Sequence, residues 1–296
     1  MRFAAIDIGS NALRLLTMNV FANNGNPIFK KESLIRIPLR LGEEAFMDGV
    51  ISDAKVKKLS GVMQAFKNLM DANDVLQYRA CATAAMREAS NGPEIIEKIF
   101  AETGVQIEIV DGSREAQLIY SNQIAETMEA DKYYLYIDVG GGSTEISLIT
   151  AGKILFSQSF PIGTLKILNN QVNDADWQPL MKALKGFRKE HKSITGIGSG
   201  GNINKIFKLY GDIEKGTLTQ KQLVEAWTHL NGYSYAERVT VLGLKPDRAD
   251  VILPATEIFL FISRHAGIKN FLVPKIGLSD GIIHQLFAEY QTALVK

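Results

Sequence analysis

Apolar residues run almost unbroken over 3–8 and dominate again at 13–20, and 27–38 continues as a more polar strand, so the chain opens as a buried strand followed by a meander, turning at Asn23-Asn24-Gly25-Asn26. The short stretch between the first two strands then reads as a hairpin turn. From residue 52 the period changes. Ser52 stands where an N-cap belongs, and Val56, Leu59, Val62, Met63, Phe66 and Met70 follow at helical spacing. Strand-like segments at 76–82 and 106–110 flank a second helix at 93–103, an alternation that predicts an α/β domain.

A long helix is predicted at 113–129, and a new strand at 133–139 follows directly. The order of the first half then repeats: 144–149 and 153–160 meet at the turn Ala151-Gly152, as in the early meander, and helices follow at 176–190 and from residue 200. The repeat divides the 296 residues into domains 1–122 and 123–296, with the boundary near Asn122 in the connecting helix. No Pro/Ser-rich linker marks it, so a stiff hinge is expected. The last helix, 280–296, is expected to pack back on the first domain.

Composition narrows the partners. Lys and Arg total 33 against 32 Asp and Glu, so no global charge points to nucleic acid or an anionic membrane, and any polyanion site is local. The single cysteine, Cys81, excludes an intramolecular disulfide framework, and the start Met1-Arg2-Phe3 lacks the regions of a signal peptide. Apolar runs such as 252–262 are short and interrupted by Pro254, Thr256 and Glu257. A cytoplasmic enzyme with no membrane segment is the expectation.

The chemistry begins with a duplication. Ile-Asp-x-Gly occurs in Ile6-Asp7-Ile8-Gly9-Ser10-Asn11 and again in Ile137-Asp138-Val139-Gly140-Gly141-Gly142-Ser143-Thr144-Glu145. In each copy a strand ends in an acid and then in small residues whose amides and hydroxyls can close around phosphate, while the acid can hold a metal. Asp7 and Asp138 lie about 130 residues apart, one domain length. Each alone is also readable as a turn cap, the lesser of the two readings, and the matched pair is much less readable so. Three glycines in a row exceed what a hairpin turn needs and remove every Cβ where phosphate would approach the backbone. Glu145 and Glu115 are both able to orient and deprotonate an attacking water, although spacing alone makes Glu115 no more than a solvated helix residue. Arg87, where a strand passes into a helix, suits a phosphate contact or an ordinary surface ion pair.

Other templates fit poorly. Gly196-Ile197-Gly198-Ser199-Gly200-Gly201 matches GxGxxG, but 208–215 reads as a polar connection rather than the further strand a dinucleotide fold needs, so this is taken as a loop on a cleft wall. There is no GxxxxGK[ST], and His191, His229, His265 and His284 are too scattered for a spaced metal motif.

Taken together, the acid-glycine loops and the third Gly-rich loop resemble the actin, heat-shock-70 and sugar-kinase superfamily. More narrowly, the first loop, Arg40-Leu41-Gly42, Ala82-Thr83 through Arg87-Glu88-Ala89, Gly112 through Glu115-Ala116, Asp138 through Glu145, and Pro246-Asp247-Arg248-Ala249-Asp250 resemble the exopolyphosphatase and guanosine pentaphosphate phosphohydrolase (Ppx/GppA) family over the whole chain. The resemblance implies two ribonuclease-H-like (actin-like ATPase) α/β domains with a cleft between them, hydrolysing the terminal phosphate of inorganic polyphosphate or the 5′ γ-phosphate of pppGpp with Mg²⁺ (or Mn²⁺). It implies Glu115 as catalytic base, Asp7, Asp138 and Glu145 as residues serving the metal and the nucleophilic water, and Arg87, Ser10, Asn11, Gly140, Gly141 and Ser143 as phosphate ligands. A homodimer is compatible with it.

The chain also departs from the family pattern. Ala12 replaces the usual serine, Arg114-Glu115-Ala116-Gln117 replaces Glu-Glu-Ala-Arg, and Leu278-Ser279-Asp280-Gly281 replaces Leu-Arg-x-Gly, so a hydroxyl and a basic contact are lost and another basic residue is moved. The chain stops where the helical HD-type domain of long members would begin, which makes a short two-domain form the expectation. The rival readings are a small-molecule kinase, a nucleotide-dependent binding module of the same superfamily and a silent homologue, the last opposed by the survival of all four acids.

Overall fold

In the computed structural model, the structure describes residues 1–21, 27–112, 114–115, 118, 128–129, 131–274 and 276–294. The predicted turn at 23–26, most of the helix at 113–129 and the boundary at Asn122 lie outside these residues. The chain forms two compact units, Met1–Asn122 with Gly277–Lys296, and Gln123–Ile276.

The first unit is built on a five-stranded sheet in the order β3-β2-β1-β4-β5, formed by β1 (Arg2–Ile8), β2 (Ala12–Phe21), β3 (Ile28–Pro38), β4 (Gln77–Ala82) and β5 (Ile107–Ile109). β1 is antiparallel to β2 and parallel to β4, which is parallel to β5. Helices cover both faces, which is why β1 is apolar in succession rather than alternating. On one face Ile6, Ile8 and Leu15 share a core with Val56, Leu59, Met63, Phe66 and Met70 of the helix Asp53–Ala72 and with Ile95 and Ile99 of the helix Gly92–Thr103. Ser52 caps the first of these through its hydroxyl, which accepts from the Lys55 amide. On the other face Phe3 meets Phe287 and Tyr290 edge-on, with ring centroids 5.7 and 5.6 Å apart, so the helix Leu278–Leu294 packs on β1.

The second unit repeats the plan. β6 (Tyr133–Val139), β7 (Thr144–Thr150), β8 (Lys153–Phe160), β9 (Ile194–Ser199), β10 (Thr217–Thr219) and β11 (Asn270–Leu272) form a six-stranded sheet in the order β10-β11-β9-β6-β7-β8. Read from β8 to β11, its strand order and directions match those of the first sheet from β3 to β5, with β10 added antiparallel at the edge. Both units are ribonuclease-H-like α/β folds.

Two expectations change, at 208–215 and at residue 176, and one segment, 252–262, gains an assignment. The region 208–215 is not a plain connection: the helix Gly201–Tyr210 runs into it, and a bridge between Asp212 and Thr217 closes the turn that follows. The apolar run at 252–262 belongs to the helix Ile252–Ala266, buried along most of its length, with Pro254 in the first turn where no intrahelical N–H bond is forfeited. The helix predicted from residue 176 begins at Asp174, because Asn173 and Asp176 form a capping box. Among the described residues, no helix is long and apolar enough to cross a membrane.

Candidate active site

In the first unit, Ile8, Ala82 and Ile109 stand side by side at the carboxyl ends of three parallel strands. The loops that leave these ends carry most of the candidates, as expected for a ligand-binding edge of an α/β sheet. The first is the tight turn Gly9-Ser10-Asn11. The Gly9 amide donates to Ala12 O, and a Cβ on Gly9 would sit 3.1 Å from the same oxygen. The carbonyls of Ser10 and Asn11 accept from the Gly42 and Arg40 amides, so the Arg40-Leu41-Gly42 segment braces the turn from behind. Arg40 is left-handed at φ 52°, and its carbonyl is held by Lys55 Nζ at 2.6 Å.

The second loop carries Arg87 and the third carries Glu115, and the two are tied together. The Thr83 amide donates to Ile8 O and the Arg87 amide to Thr83 O. Arg87 Nη1 donates to the carbonyl of Val110 at 2.8 Å, immediately before the segment that leads to Glu115. There Asp111 acts as a cap: its side chain accepts from the Arg114 amide and its carbonyl from the Glu115 amide. Glu115 is buried.

Asp7 lies one residue before the end of β1, is only 5% exposed, and is bonded by Arg14 Nη1 at 2.6 Å. Arg14 was not among the residues singled out from the sequence. The signal was the hairpin itself, because a turn at residues 9–11 sets Arg14 directly across from Asp7. Extended over the sheet, this register gives one row of side chains: Arg36, Arg14, Asp7, Cys81 and Glu108.

The corresponding row of the second unit is Ser159, Glu145, Asp138 and Ser199. Asp138 and Glu145 are cross-strand partners on one face of the sheet. Glu145 is 2% exposed, and its Oε1 accepts from Ser143 Oγ at 2.6 Å and Ser159 Oγ at 2.9 Å. Ser199 Oγ lies 3.3 Å from Asp138 Oδ2 and 3.0 Å from Ile276 O. Gly200 follows at φ 99°, and a Cβ there would come within 2.9 Å of Asp138 Oδ1, so glycine is required on both counts. Ser159, placed by strand pairing and not by proximity in sequence, is a further residue the sequence does not mark, whereas Ser199 and Gly200 fall in the glycine-rich run read as a loop on a cleft wall.

The glycine run between Asp138 and Glu145 is folded back on the start of the helix Thr164–Leu168. Gly140 O accepts from the Thr164 amide, and Gly141 O from the amides of Leu165 and Lys166. Gly163 is pressed so close that a Cβ would lie 2.3 Å from Gly141 O. With the carbonyls committed to the helix, the amides of Gly141 and Gly142 donate to no backbone carbonyl among the described residues. Such a loop offers N–H groups to an anion.

The later GxGxxG run has another explanation. A Cβ on Gly196 would lie 2.4 Å from the ring of Phe271, and one on Gly198 would lie 2.8 Å from Ile203. These glycines admit neighbouring side chains to the sheet, while the loop they lead into sits beside Asp138.

The donor chemistry fits a hard cation in the second unit better than in the first. Asp138 and Glu145 offer carboxylate oxygens on one face, surrounded by hydroxyls, whereas Asp7 is already neutralised by Arg14. Among the described residues, no group of three or more His, Cys, Asp or Glu could hold a metal ion. Two protein carboxylates supplemented by water and substrate oxygens are the pattern of Mg²⁺ sites.

Comparison with known proteins places the whole arrangement in a family. The sequence profile of the Ppx/GppA phosphatase family matches residues 32–289. The chain is 27% identical over 294 residues to the bifunctional 3-dehydroquinate synthase/phosphatase of Fusobacterium nucleatum, covering 91% of this chain but 44% of that protein. It therefore spans less than half of that relative. Among solved structures, the exopolyphosphatase from Cytophaga hutchinsonii superimposes with a TM-score of 0.85 at 22% identity, covering 98% of each chain. The Ppx/GppA family member from Aquifex aeolicus superimposes with a TM-score of 0.76 at 24% identity, again covering 98% of each. The structural likenesses establish the shared fold, and the profile, which takes in most of the chain, establishes the lineage: this protein belongs to the Ppx/GppA phosphatase family.

Proposed function

We propose that the protein is an exopolyphosphatase, releasing the terminal phosphate of inorganic polyphosphate by in-line attack of water in the presence of Mg²⁺ or Mn²⁺. The observation that carries this reading is the row Ser159-Glu145-Asp138-Ser199 set against a glycine loop whose carbonyls are turned away into a helix. Carboxylates for a cation and amides for an anion stand within one strand-turn-strand unit, which is what a metal-bound phosphate chain requires.

The roles follow from chemistry. Glu115 takes the proton of the attacking water as the new P–O bond forms and the terminal phosphoanhydride bond breaks, leaving the shortened chain as the departing group. Asp138 and Glu145 hold the cation, which neutralises charge on the phosphoryl oxygens when bound. Gly140, Gly141 and Ser143 in the second unit, with Ser10, Asn11 and Arg87 in the first, bind phosphate. Asp7 completes the acid set, with Arg14 as its counter-ion.

The 5′-phosphohydrolysis of pppGpp is the same reaction on a nucleotide, and the family supports it as the second reading. Ser279, where the family pattern carries arginine, is buried in the first turn of the helix Leu278–Leu294 and offers no cation there. The test is phosphate release from long polyphosphate, tripolyphosphate, pppGpp and ATP in parallel, with and without Mg²⁺. Polyphosphate should be turned over fastest and only with metal. Replacing Glu115 by Gln should lower kcat by about 10²-fold or more with little change in KM. Near-normal turnover by that variant removes Glu115 from the role, and no turnover of any substrate by the wild type ends the hydrolase reading.

A further inference from the structure

The second unit carries a dense group of cations that none of these roles uses. The helix Asp174–Glu190 presents Lys182, Lys185 and Arg188, all exposed, and the helix Ile252–Ala266 ends beside it with Arg264 and His265. Arg188 joins the two, since its Nη1 donates to Arg264 O at 3.3 Å and its side chain passes within 3.2 Å of where a Cβ on Gly267 would stand. Among the described residues, no carboxylate is paired with Lys182, Lys185, Arg188 or Arg264. In a chain with a net charge of only +1, such a cluster is a local concentration. Complementing the helix macrodipole accounts for the last-turn residues Arg188, Arg264 and His265, but not for Lys182 and Lys185, which stand further back along the helix.

The position of the cluster is defined by topology. The helix Asp174–Glu190 feeds β9 after three residues, and β9 runs parallel to β6, whose far end carries Asp138. Arg188, Arg264 and His265 therefore gather at the opposite end of the strands from the carboxylates, one strand length away, roughly 20 Å, with Lys185 and Lys182 trailing back along the helix. A short phosphate chain cannot span that length, whereas a long one can.

We propose that this face is a docking surface for a long inorganic polyphosphate chain, held by Lys182, Lys185, Arg188, Arg264 and His265 while its end is processed elsewhere. The proposal rests on the exopolyphosphatase reading for the identity of the polyanion. The surface itself argues against single-stranded nucleic acid, which is gripped by stacking bases on open aromatic faces. Here the rings of Trp177, Phe261 and His265 are half-buried and spent on each other, with successive centroids 4.4 and 4.3 Å apart. A second point of attachment raises the local concentration of chain ends without adding any contact to the reacting phosphate.

His265 makes the surface observable. Burial and the surrounding Lys185, Arg264 and Arg188 hold its pKa below the ordinary histidine value. A bound polyanion would offset those cations and move the titration of His265 upward. The chain has four histidines, so its ring resonance can be followed by NMR in the intact protein. In metal-free buffer, long polyphosphate should shift the His265 midpoint upward, and tripolyphosphate at equal phosphate concentration should not. The triple substitution Lys182→Glu, Lys185→Glu and Arg264→Glu should abolish the shift and raise KM for long polyphosphate about tenfold, leaving tripolyphosphate turnover unchanged. The proposal is overturned if long polyphosphate leaves His265 unmoved, if tripolyphosphate moves it equally, or if single-stranded RNA does so at equal phosphate concentration. Failure of the wild type to release phosphate from any substrate would sink the hydrolase reading alone, because the titration needs no turnover.

Discussion

The two sheets place an aspartate at the same point and surround it with opposite chemistry. Asp7 faces Arg14 across the hairpin, with Arg36 beyond it, whereas Asp138 faces Glu145, with Ser159 beyond. Backbone register is conserved between the units while charge is inverted, so a repeated motif marks a repeated fold and two separate tasks. A carboxylate bonded to a guanidinium at 2.6 Å is a neutral pair. A carboxylate set across from another carboxylate, as Asp138 is from Glu145, puts two acidic groups on one face of the sheet. The two kinds of surface are distributed one to each unit.

That contrast can be broken from either side, and the largest effect is expected in the second unit. Glu145→Gln leaves hydrogen-bonding capacity for Ser143 and Ser159 but removes the charge. It should lower kcat by about 10²–10³-fold and raise the Mg²⁺ concentration needed for half-maximal rate. If the metal dependence stays put, Glu145 does not serve the cation.

In the first unit, Arg14→Leu strands a buried Asp7 without its counter-ion and should cost about 1–3 kcal/mol of stability, read from the urea midpoint. The cost should disappear in the double variant with Asp7→Asn, whereas a persistent loss would mean that Arg14 acts by packing alone.

A smaller effect concerns His284, stacked on Phe29 with ring centroids 3.7 Å apart on the helix that covers β1. Burial, with help from Lys31 and against the opposing charge of Asp280, lowers its pKa from 6.5. The unfolded chain therefore binds this proton more readily, and stability contributed by the neutral ring is present above pH 6.5 and lost as pH falls below it. Urea midpoints measured from pH 7.5 to 5 should fall less steeply in His284→Leu than in the wild type.

The smallest effect concerns Cys81, next to Asp7 in the row. Burial, reinforced by Glu108, pushes its thiol up to about 12. Iodoacetamide at pH 8 should leave it unmodified in the folded protein and alkylate it in urea. Rapid labelling of the native enzyme would show that the row opens to solvent.

Much of this arrangement is written locally. The buried strand at 3–8, the capped helix after Ser52 and the acid-glycine loops announce themselves through period and residue type, because neighbours in sequence determine them. Arg14 and Ser159 do not, since their role exists only once strands pair and the register is known. The helices Gln220–Asn231 and Tyr235–Thr240 went unread although Thr219 with Gln222, and Ser234 with Glu237, spell out capping boxes. Strands β10 and β11, at three residues each, are too short to show any period. Glu115 is a third kind of case: family resemblance marks it, while its own surroundings of Asp111 and Arg114 describe only a capped turn.

The helix Leu278–Leu294 has a consequence for how the molecule is made. Phe3 is translated before the whole of the second unit, yet the aromatic rings that cover it, Phe287 and Tyr290, are translated after it. At bacterial-like elongation rates the interval is about 15–60 s. Throughout it the second unit, whose segments are contiguous, has everything it needs to fold, while the first waits with one face of β1 uncovered. The order of birth and the order of completion are reversed, and a chaperone that shields apolar surface on nascent chains would find its target on β1 until the helix Leu278–Leu294 has been made.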